Sequence, residues 1–513
     1  MEPLPFRVCF VYIEVHPRAY RNHVFRREEQ LRFNVACIGV LCAVVALAAP
    51  AQEYRDALTI SDQQQLYNAR SLGMGNAYTT IGYEFAAIRA NPAALGNIDS
   101  TIYTMSINFN AFRNSTTLFG AETNFGTENT TLSQFGLAFP FSFQERNLVV
   151  ALGYNQGRDF NRTLKYGGFN TSSQSLIGEL TSRNSSITST LGLSYPAYDP
   201  ATSEYLGQRT VITGNLTEQG FLLEDGLVSN YSFGLGYEVM YNVFFGASIS
   251  YVSGQYTIDR EFTEEDTENM YPASVETVPG TPSTADFRRF YLHDVRDLAF
   301  NGWDMRVGLI YKLENFIAVG GSFKIPSHTK VSDIQYLEGY AVYNNDRQQN
   351  LEQSKREVEY SLAPPYEITG GAAVNLWILT VTAEASWIDY TQIRYVSGGD
   401  LPDLTLRNKE FAENLRGAIN LNGGAEFRLP WTGISARAGA MFRQSPFKDA
   451  PAKAGRKYLT AGIGINSGGR LAFDVGYSIG WWDEVLETYG VHTPNLSQTV
   501  VVHNMMTTLK LSL

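Results

Sequence analysis

The sequence predicts an all-β protein, a transmembrane antiparallel β-barrel of about fourteen strands with an N-terminal hatch, or plug, in its lumen. Three observations predict it. Short segments alternate strictly between apolar and polar residues, the connections between them are alternately tiny and long, and the stretch before the first strand differs in kind from the rest. In Leu471 to Trp481 the residues Leu471, Phe473, Val475, Tyr477, Ile479 and Trp481 alternate with Ala472, Asp474, Gly476, Ser478 and Gly480. Successive side chains of a strand point to opposite faces, so one face is oily and the other small or polar. Tyr231–Tyr237 and Leu379–Trp387 repeat the split.

A soluble sandwich would alternate in the same way, so the connections decide. Gln144–Asn147, Met240–Asn242, Lys312–Asn315, Asn375–Trp377, Leu429–Thr432 and Asn466–Arg470 read as tight turns. Between them run long connections near 156–228, 260–298, 325–365, 392–415, 444–457 and 482–498. Outer-membrane barrels have short periplasmic turns and long extracellular loops, and hydrocarbon tolerates no open sheet edge. Sandwich loops have no reason to sort by parity.

In chain order, the first 51 residues read as a leader. Val35–Ala49 is apolar, follows Arg18, Arg21, Arg26, Arg27 and Arg32, and precedes Ala49-Pro50-Ala51, which is the pattern of a signal peptide cleaved near Ala51–Gln52. The residues ahead of it are more than a signal needs and point to a start codon assigned upstream. Cys9, Cys37 and Cys42 all lie in this leader, leaving a mature chain without cysteine, as suits passage through an oxidising periplasm. Residues 52–100 are rich in Ala, Gly, Asn and Gln, and too few for a core of their own; they read as a hatch inside the barrel. Residues 101–513 form the barrel, with strands expected near 101–112, 132–143, 147–155, 229–239, 243–259, 299–312, 315–324, 366–376, 378–391, 416–429, 432–443, 456–467, 470–481 and 499–513. Additional pairing around Ile187–Tyr195 would make sixteen.

Composition agrees. The 513 residues include 30 Tyr and 30 Phe, yet no stretch after the leader approaches the ~18 to 20 apolar residues that a spanning helix needs. All six tryptophans fall near expected strand ends, as in the aromatic girdles of membrane barrels. Without residues 1–51 the chain carries 34 basic and 47 acidic residues, which argues against a nucleic-acid partner. The acidic run Glu261–Glu268 reads as solvated outer loop, or as a place where divalent cations bridge to lipopolysaccharide. Arg306, Lys312, Glu384, Arg437, Arg443, Asp474 and Lys510 fall on lumen-facing positions, where Arg437 and Arg443 are candidates to meet a ligand carboxylate.

The order of short motifs resembles one family. Arg70-Ser-Leu-Gly-Met-Gly-Asn-Ala77 followed by Phe85-Ala-Ala-Ile-Arg-Ala-Asn-Pro-Ala-Ala-Leu95 is similar to the hatch of the FadL/TodX outer-membrane transporters, as are Gly320–Pro326, Pro365–Gly371, Trp387–Tyr390 and Arg437–Pro446. The resemblance implies a fourteen-stranded monomeric barrel in the cell outer membrane, in contact with lipid and lipopolysaccharide. Its ligand would be a hydrophobic small molecule, a long-chain fatty acid or an aromatic hydrocarbon, held in apolar lumen pockets and released sideways as the hatch moves. It places Gly73, Gly75, Asn91, Pro92 and Ala93 in that hatch. Related barrels serve protein secretion or surface assembly, which is the alternative function, and Leu513 stands where such barrels usually end in Phe. No cofactor or metal is expected and the chain reads as a non-enzyme: His293, His328, His492 and His503 are mutually distant in sequence and no nucleophile motif accompanies them.

Overall fold

A computed structural model of the chain describes residues 54–62, 66–272, 286–314, 316–398, 404–488 and 495–513. The expected signal peptide, with Cys9, Cys37 and Cys42, and His492 lie outside the described residues. Fourteen strands form the wall. They are β1 Ile102–Leu118, β2 Ala121–Phe143, β3 Arg146–Asp159, β4 Leu216–Met240, β5 Val243–Glu265, β6 Phe287–Leu313 and β7 Ile317–Pro326, then β8 Glu367–Leu376, β9 Leu379–Asp389, β10 Gly417–Arg428, β11 Ile434–Arg443, β12 Arg456–Ser467, β13 Leu471–Glu487 and β14 Asn495–Ser512. Each pairs antiparallel with the next, and β1 pairs with β14 from Ile102↔Ser512 to Thr117↔Ser497, so the sheet closes on itself. Closure removes the unpaired edges that an open sheet would present to lipid.

The expected tight turns all appear. Trp377, Trp431 and Asn242 adopt positive φ (51°, 64° and 64°), which is what a short reversal between paired strands requires. Outside, the apolar half of each alternating strand is exposed: Met305, Leu309, Tyr311 and Leu313 on β6, and Ile419, Leu421 and Phe427 on β10. The two turn tryptophans are the most exposed, Trp431 at 99% and Trp377 at 85%. At the other border Tyr154, Tyr231, Tyr251 and Trp303 stand on adjacent strands in direct register. Beyond Trp303 the outward residues of β6 become Asn301, Ala299 and Asp297, so the apolar band ends there. Trp482 departs from the expected girdle: it is partly buried, with its ring under the Arg456 guanidinium at 4.9 Å.

Several strands outrun the expected bounds. β2 begins at Ala121, β5 runs to Glu265 and β6 starts at Phe287. Beyond the apolar band both faces are polar, so the alternation fades while backbone pairing continues. The acidic run is therefore not a loop over Glu261–Glu265, which is strand with Glu264 buried. Nor does Ile187–Tyr195 add to the wall: Ser186–Thr190 is helical, and Tyr195–Tyr198 pairs only with Tyr205–Arg209 in a separate two-stranded sheet. Strand Arg162–Asn170 lengthens the wall along β4, and Thr329–Tyr343 with Gln348–Ala363 does so along β6.

The wall pairing lapses between β2 and β3. Gln134↔Asn155 is their last backbone pair on the long-loop side, and residues 121–133 of β2 then pair with β1 alone. Three side-chain hydrogen bonds span this split. Thr131 Oγ1 meets Gln156 Oε1 at 2.6 Å, Asn129 Nδ2 donates to Asp159 Oδ2 at 3.2 Å, and Thr127 Oγ1 to Asn161 Oδ1 at 2.9 Å.

Candidate functional site

Residues 66–99 lie inside the ring of strands. The segment is stiffened locally before it touches the wall. Asn68 caps helix α1, Ala69–Gly73, by accepting from the Ser71 amide at 2.7 Å, while its own amide donates to Ser71 Oγ at 2.9 Å, a reciprocal cap. Asn91 does the same for the 3-10 turn Pro92–Asn97, accepting from the Ala93 amide at 3.0 Å, with Pro92 where a missing N–H costs nothing.

Inward glycines of the wall let this backbone approach closely. A Cβ on Gly439 would lie 2.4 Å from the Gly75 amide nitrogen, one on Gly424 2.3 Å from the Met74 carbonyl oxygen, and one on Gly246 2.2 Å from the Pro92 carbonyl carbon. Gly75 itself has φ +62°, and its own Cβ would meet the Gly423 carbonyl at 2.3 Å. The side chain of Asn91 fills the space at Gly308, donating from Nδ2 to the Gly321 carbonyl at 3.2 Å. Gly73 abuts Gly462. The five hatch residues singled out in the sequence are thus docking positions: Gly73 and Gly75 against β10 to β12, and Asn91, Pro92 and Ala93 against β5 to β7. Phe85, which the sequence analysis quotes in a motif without giving it a role, reaches β2 and β3, and Asn147 of β3 donates to the Gly96 and Ile98 carbonyls at 2.9 and 2.6 Å. The Phe85 ring lies against Gly136 and Gly153, which pair with each other just short of the split.

Buried charges lace the segment in place. Arg70 donates to Glu426 at 2.9 Å, and Arg437 holds Glu426 at 2.7 Å and Asp474 at 2.6 Å. Arg89 pairs with Asp304 at 2.6 Å, and Glu384 accepts from the amides of Tyr78 and Thr79, each at 3.0 Å. Arg437 is therefore consumed by structure and is not available to a ligand. Arg306 is joined to Glu367 at 3.3 Å, and the Lys312 ammonium lies over the rings of Tyr83 and Phe244. Lys510 is half-buried near the tight-turn end. Arg443 forms no ion pair among the described residues and faces open space.

That space is a cavity of about 470 Å³ on the long-loop side of the segment. Its lining is mixed rather than the wholly apolar pocket expected. Leu164, Leu176, Phe221, Leu222, Phe262 and Leu292 line it together with Arg158, Arg162, Glu224, Glu484, Arg456 and Arg443, and the two kinds interleave where the pair Arg162↔Glu224 lies two residues from the pair Leu164↔Leu222. Arg162 pairs with Glu224 and Glu484, Arg158 lies 3.7 Å from Asp62, and Arg456 stands over the Trp482 ring. A second chamber of about 180 Å³ shares Arg443, Arg158 and Trp482 with the first, and reaches Gln156, Asp159 and Asn161 at the split.

The histidines carry no catalytic arrangement with a nucleophile among the described residues. His293 sits between Asp259 (2.9 Å) and Glu338 (3.0 Å), and with Asp259 and Glu261 offers a nitrogen and two oxygens within 4.8 Å of one another. Sequence spacing gave no hint of this, because strand register brings the three together. His503 is hydrogen-bonded to the Tyr477 hydroxyl at 2.7 Å on the outward face.

Fold and lumen together define a class: a closed antiparallel β-barrel of fourteen strands, with residues 66–99 packed against its inner wall. No family model and no curated protein sequence matches the chain. Among solved structures it has the fold of the P. putida toluene transporter TodX, with a TM-score of 0.54 at 15% identity, covering 87% of this chain and 98% of TodX. A Pseudomonas aeruginosa FadL homologue gives 0.52 at 11% identity, covering 88% of this chain and 98% of that one. Likeness at such identity establishes architecture and leaves the ligand to the residues themselves.

Proposed function

We propose that the chain is an outer-membrane transporter of hydrophobic compounds that carry an anionic end, with long-chain fatty acids the best fit. The observation that carries this reading is Arg443, a lumen cation with no ion-pair partner among the described residues, placed where a mixed cavity meets a smaller chamber. An alkyl chain laid against the leucine and phenylalanine side chains is removed from water at about 25 cal/mol per Å² of apolar surface. A carboxylate at Arg443 forms a charge-assisted, two-pronged hydrogen bond. A bare arene would gain only the first, so the charged lining favours the amphiphile even though the structurally similar TodX is named for toluene.

A general porin is a poor alternative, because residues 66–99 stand across the lumen. Release is proposed to run sideways, from the second chamber through the split between β2 and β3, where side-chain hydrogen bonds replace backbone pairing. Those bonds exchange with water at little cost, whereas a paired wall does not open. No observation favours the secretion alternative.

The test is uptake of radiolabelled laurate and toluene by liposomes containing the purified barrel. Arg443→Gln lowers laurate binding about tenfold, as loss of a charge-assisted pair predicts, and leaves toluene unchanged. In a Thr131→Cys/Gln156→Cys variant, a short reducible bis-thiosulfonate stops delivery without stopping binding, and reductant restores it. Laurate entry no faster than into protein-free liposomes would overturn the reading.

A further inference from the structure

Beyond the aromatic border the outward face of β6 carries His293, on the same side of the sheet as Trp303 and Ala299 but well past the apolar band. Strand register sets acids on both sides of it. Glu261 of β5 stands directly opposite His293, Asp259 lies diagonally along β5, and Glu338 of the strand Thr329–Tyr343 stands directly opposite on the other flank. Cross-strand neighbours of this kind bring their Cβ atoms to about 4.5–5.5 Å, and diagonal ones stay within reach of long side chains. Tyr291 and Tyr340 stack at 5.1 Å beside them, with the Tyr291 ring 6.3 Å from the imidazole, which fences the ring on the side away from the apolar band.

We infer that Asp259, Glu261 and His293 hold one divalent transition-metal ion, zinc the best fit, on the outer surface of the barrel, and that Glu338 positions the histidine for it.

His293 Nδ1 lies 3.0 Å from Glu338 Oε1, and Nε2 lies 2.9 Å from Asp259 Oδ1. A neutral imidazole has one N–H and one lone pair, so it donates to only one of these two carboxylates. With the proton on Nδ1, donated to Glu338, the Nε2 lone pair faces an acceptor, and a cation between them relieves the repulsion. A second proton would serve His293 and Asp259 but makes no use of Glu261. A metal ion uses all three, which offer one nitrogen and two oxygens within 4.8 Å of one another. Rotation of the two carboxylates gathers the donors to zinc's usual reach of about 2.0–2.2 Å. A histidine whose other nitrogen donates to a carboxylate is the common arrangement at metal sites, because the carboxylate fixes the tautomer and makes the ligating nitrogen more basic. Calcium and magnesium take oxygen donors, so the histidine selects zinc and its neighbours. The ion joins β5 to β6 on the outside, where Phe262 and Leu292, in register with each other, line the cavity on the inside.

The experiment uses the full barrel without a histidine tag, stripped with a chelator and held in amphipol. Zinc binding is measured by equilibrium dialysis and cobalt binding by its visible absorption. One zinc per chain is expected, undiminished by excess calcium. His293→Gln is expected to abolish saturable binding, and Asp259→Asn and Glu261→Gln each to weaken it. Glu338→Gln is expected to weaken it about tenfold while the bound cobalt keeps the shape of its spectrum, as befits a residue that orients a ligand. His503→Gln, on a distant strand beside Tyr477, is expected to change nothing. Heat-modifiable migration checks that each variant is folded. No saturable zinc binding to the unaltered chain, binding that survives His293→Gln, or binding equalled by calcium overturns the inference in favour of a proton shared by His293 and Asp259. Unchanged affinity in Glu338→Gln overturns the role given to that residue. Every one of these results leaves the transport reading standing.

Discussion

Glu264 belongs to an acidic run, yet alternation turns it inward while Glu261 and Glu265 face out. It lies well beyond the apolar band, where its carboxylate accepts from the amides of Leu176 (2.5 Å) and Ile177 (3.1 Å) and stands in register beside Glu218. Burial, and then the Glu218 charge, push its pKa up to about 8, against the two amide hydrogen bonds that lower it. Between about pH 4.5 and pH 8 the folded state therefore binds more protons than the unfolded one, and stability falls as pH rises through that window. Proteolysis or hydrogen exchange over 160–215 should show this part loosening towards pH 8, with Glu264→Gln flat across the range; a slope retained in the variant would point to another group. The same local rule explains the two lumen arginines. Arg437 and Arg443 both face inward on one strand and look alike in sequence. Arg437 is held by Glu426 of the adjacent strand and by Asp474 two strands away, and Arg443 is not. Which of them is available depends on register, and register is not written in the strand that carries them.

At the scale of elements, strands were legible wherever one face met lipid and the other the lumen. They were under-read in β2, β5 and β6, where the outward face becomes polar beyond the apolar band. The hatch motifs were legible as turns and caps, since Asn91-Pro92 carries its own N-cap chemistry. The partners of Gly73 and Gly75 were not, because a glycine that serves close approach reads like one that serves flexibility. This gives a paired prediction. Gly439→Val drives side-chain atoms into the Gly75 backbone and should cost about 3 kcal/mol, the upper end for overpacking, seen as lost heat-modifiable folded form. Gly370→Val, where a Cβ meets nothing within 4 Å, should stay within about 0.5 kcal/mol. Equal behaviour of the two would mean that residues 66–99 are not docked on the wall as described.

For the whole molecule, the apolar band fixes depth. Leu309 lies between Trp303 and Leu313 on the outward face of β6, and Ala299 lies past the aromatic border. Folding into bilayers followed by urea titration should show Leu309→Arg costing about 2–4 kcal/mol and Ala299→Arg about 0–1 kcal/mol. A reversed order would place the membrane elsewhere on the barrel. Strand number, the parity of turns and loops and the face each strand residue takes were determined by the sequence alone. They follow from a period-two pattern and from chain lengths, both of which are local. The tertiary structure alone decided which charges are consumed and which remain open, where the wall pairing lapses, and that the cavity is mixed rather than apolar. Each of these depends on residues hundreds of positions apart, such as Asp56 with Arg296 or Arg70 with Glu426, meeting through the stagger of a closed sheet and the path of a chain inside it.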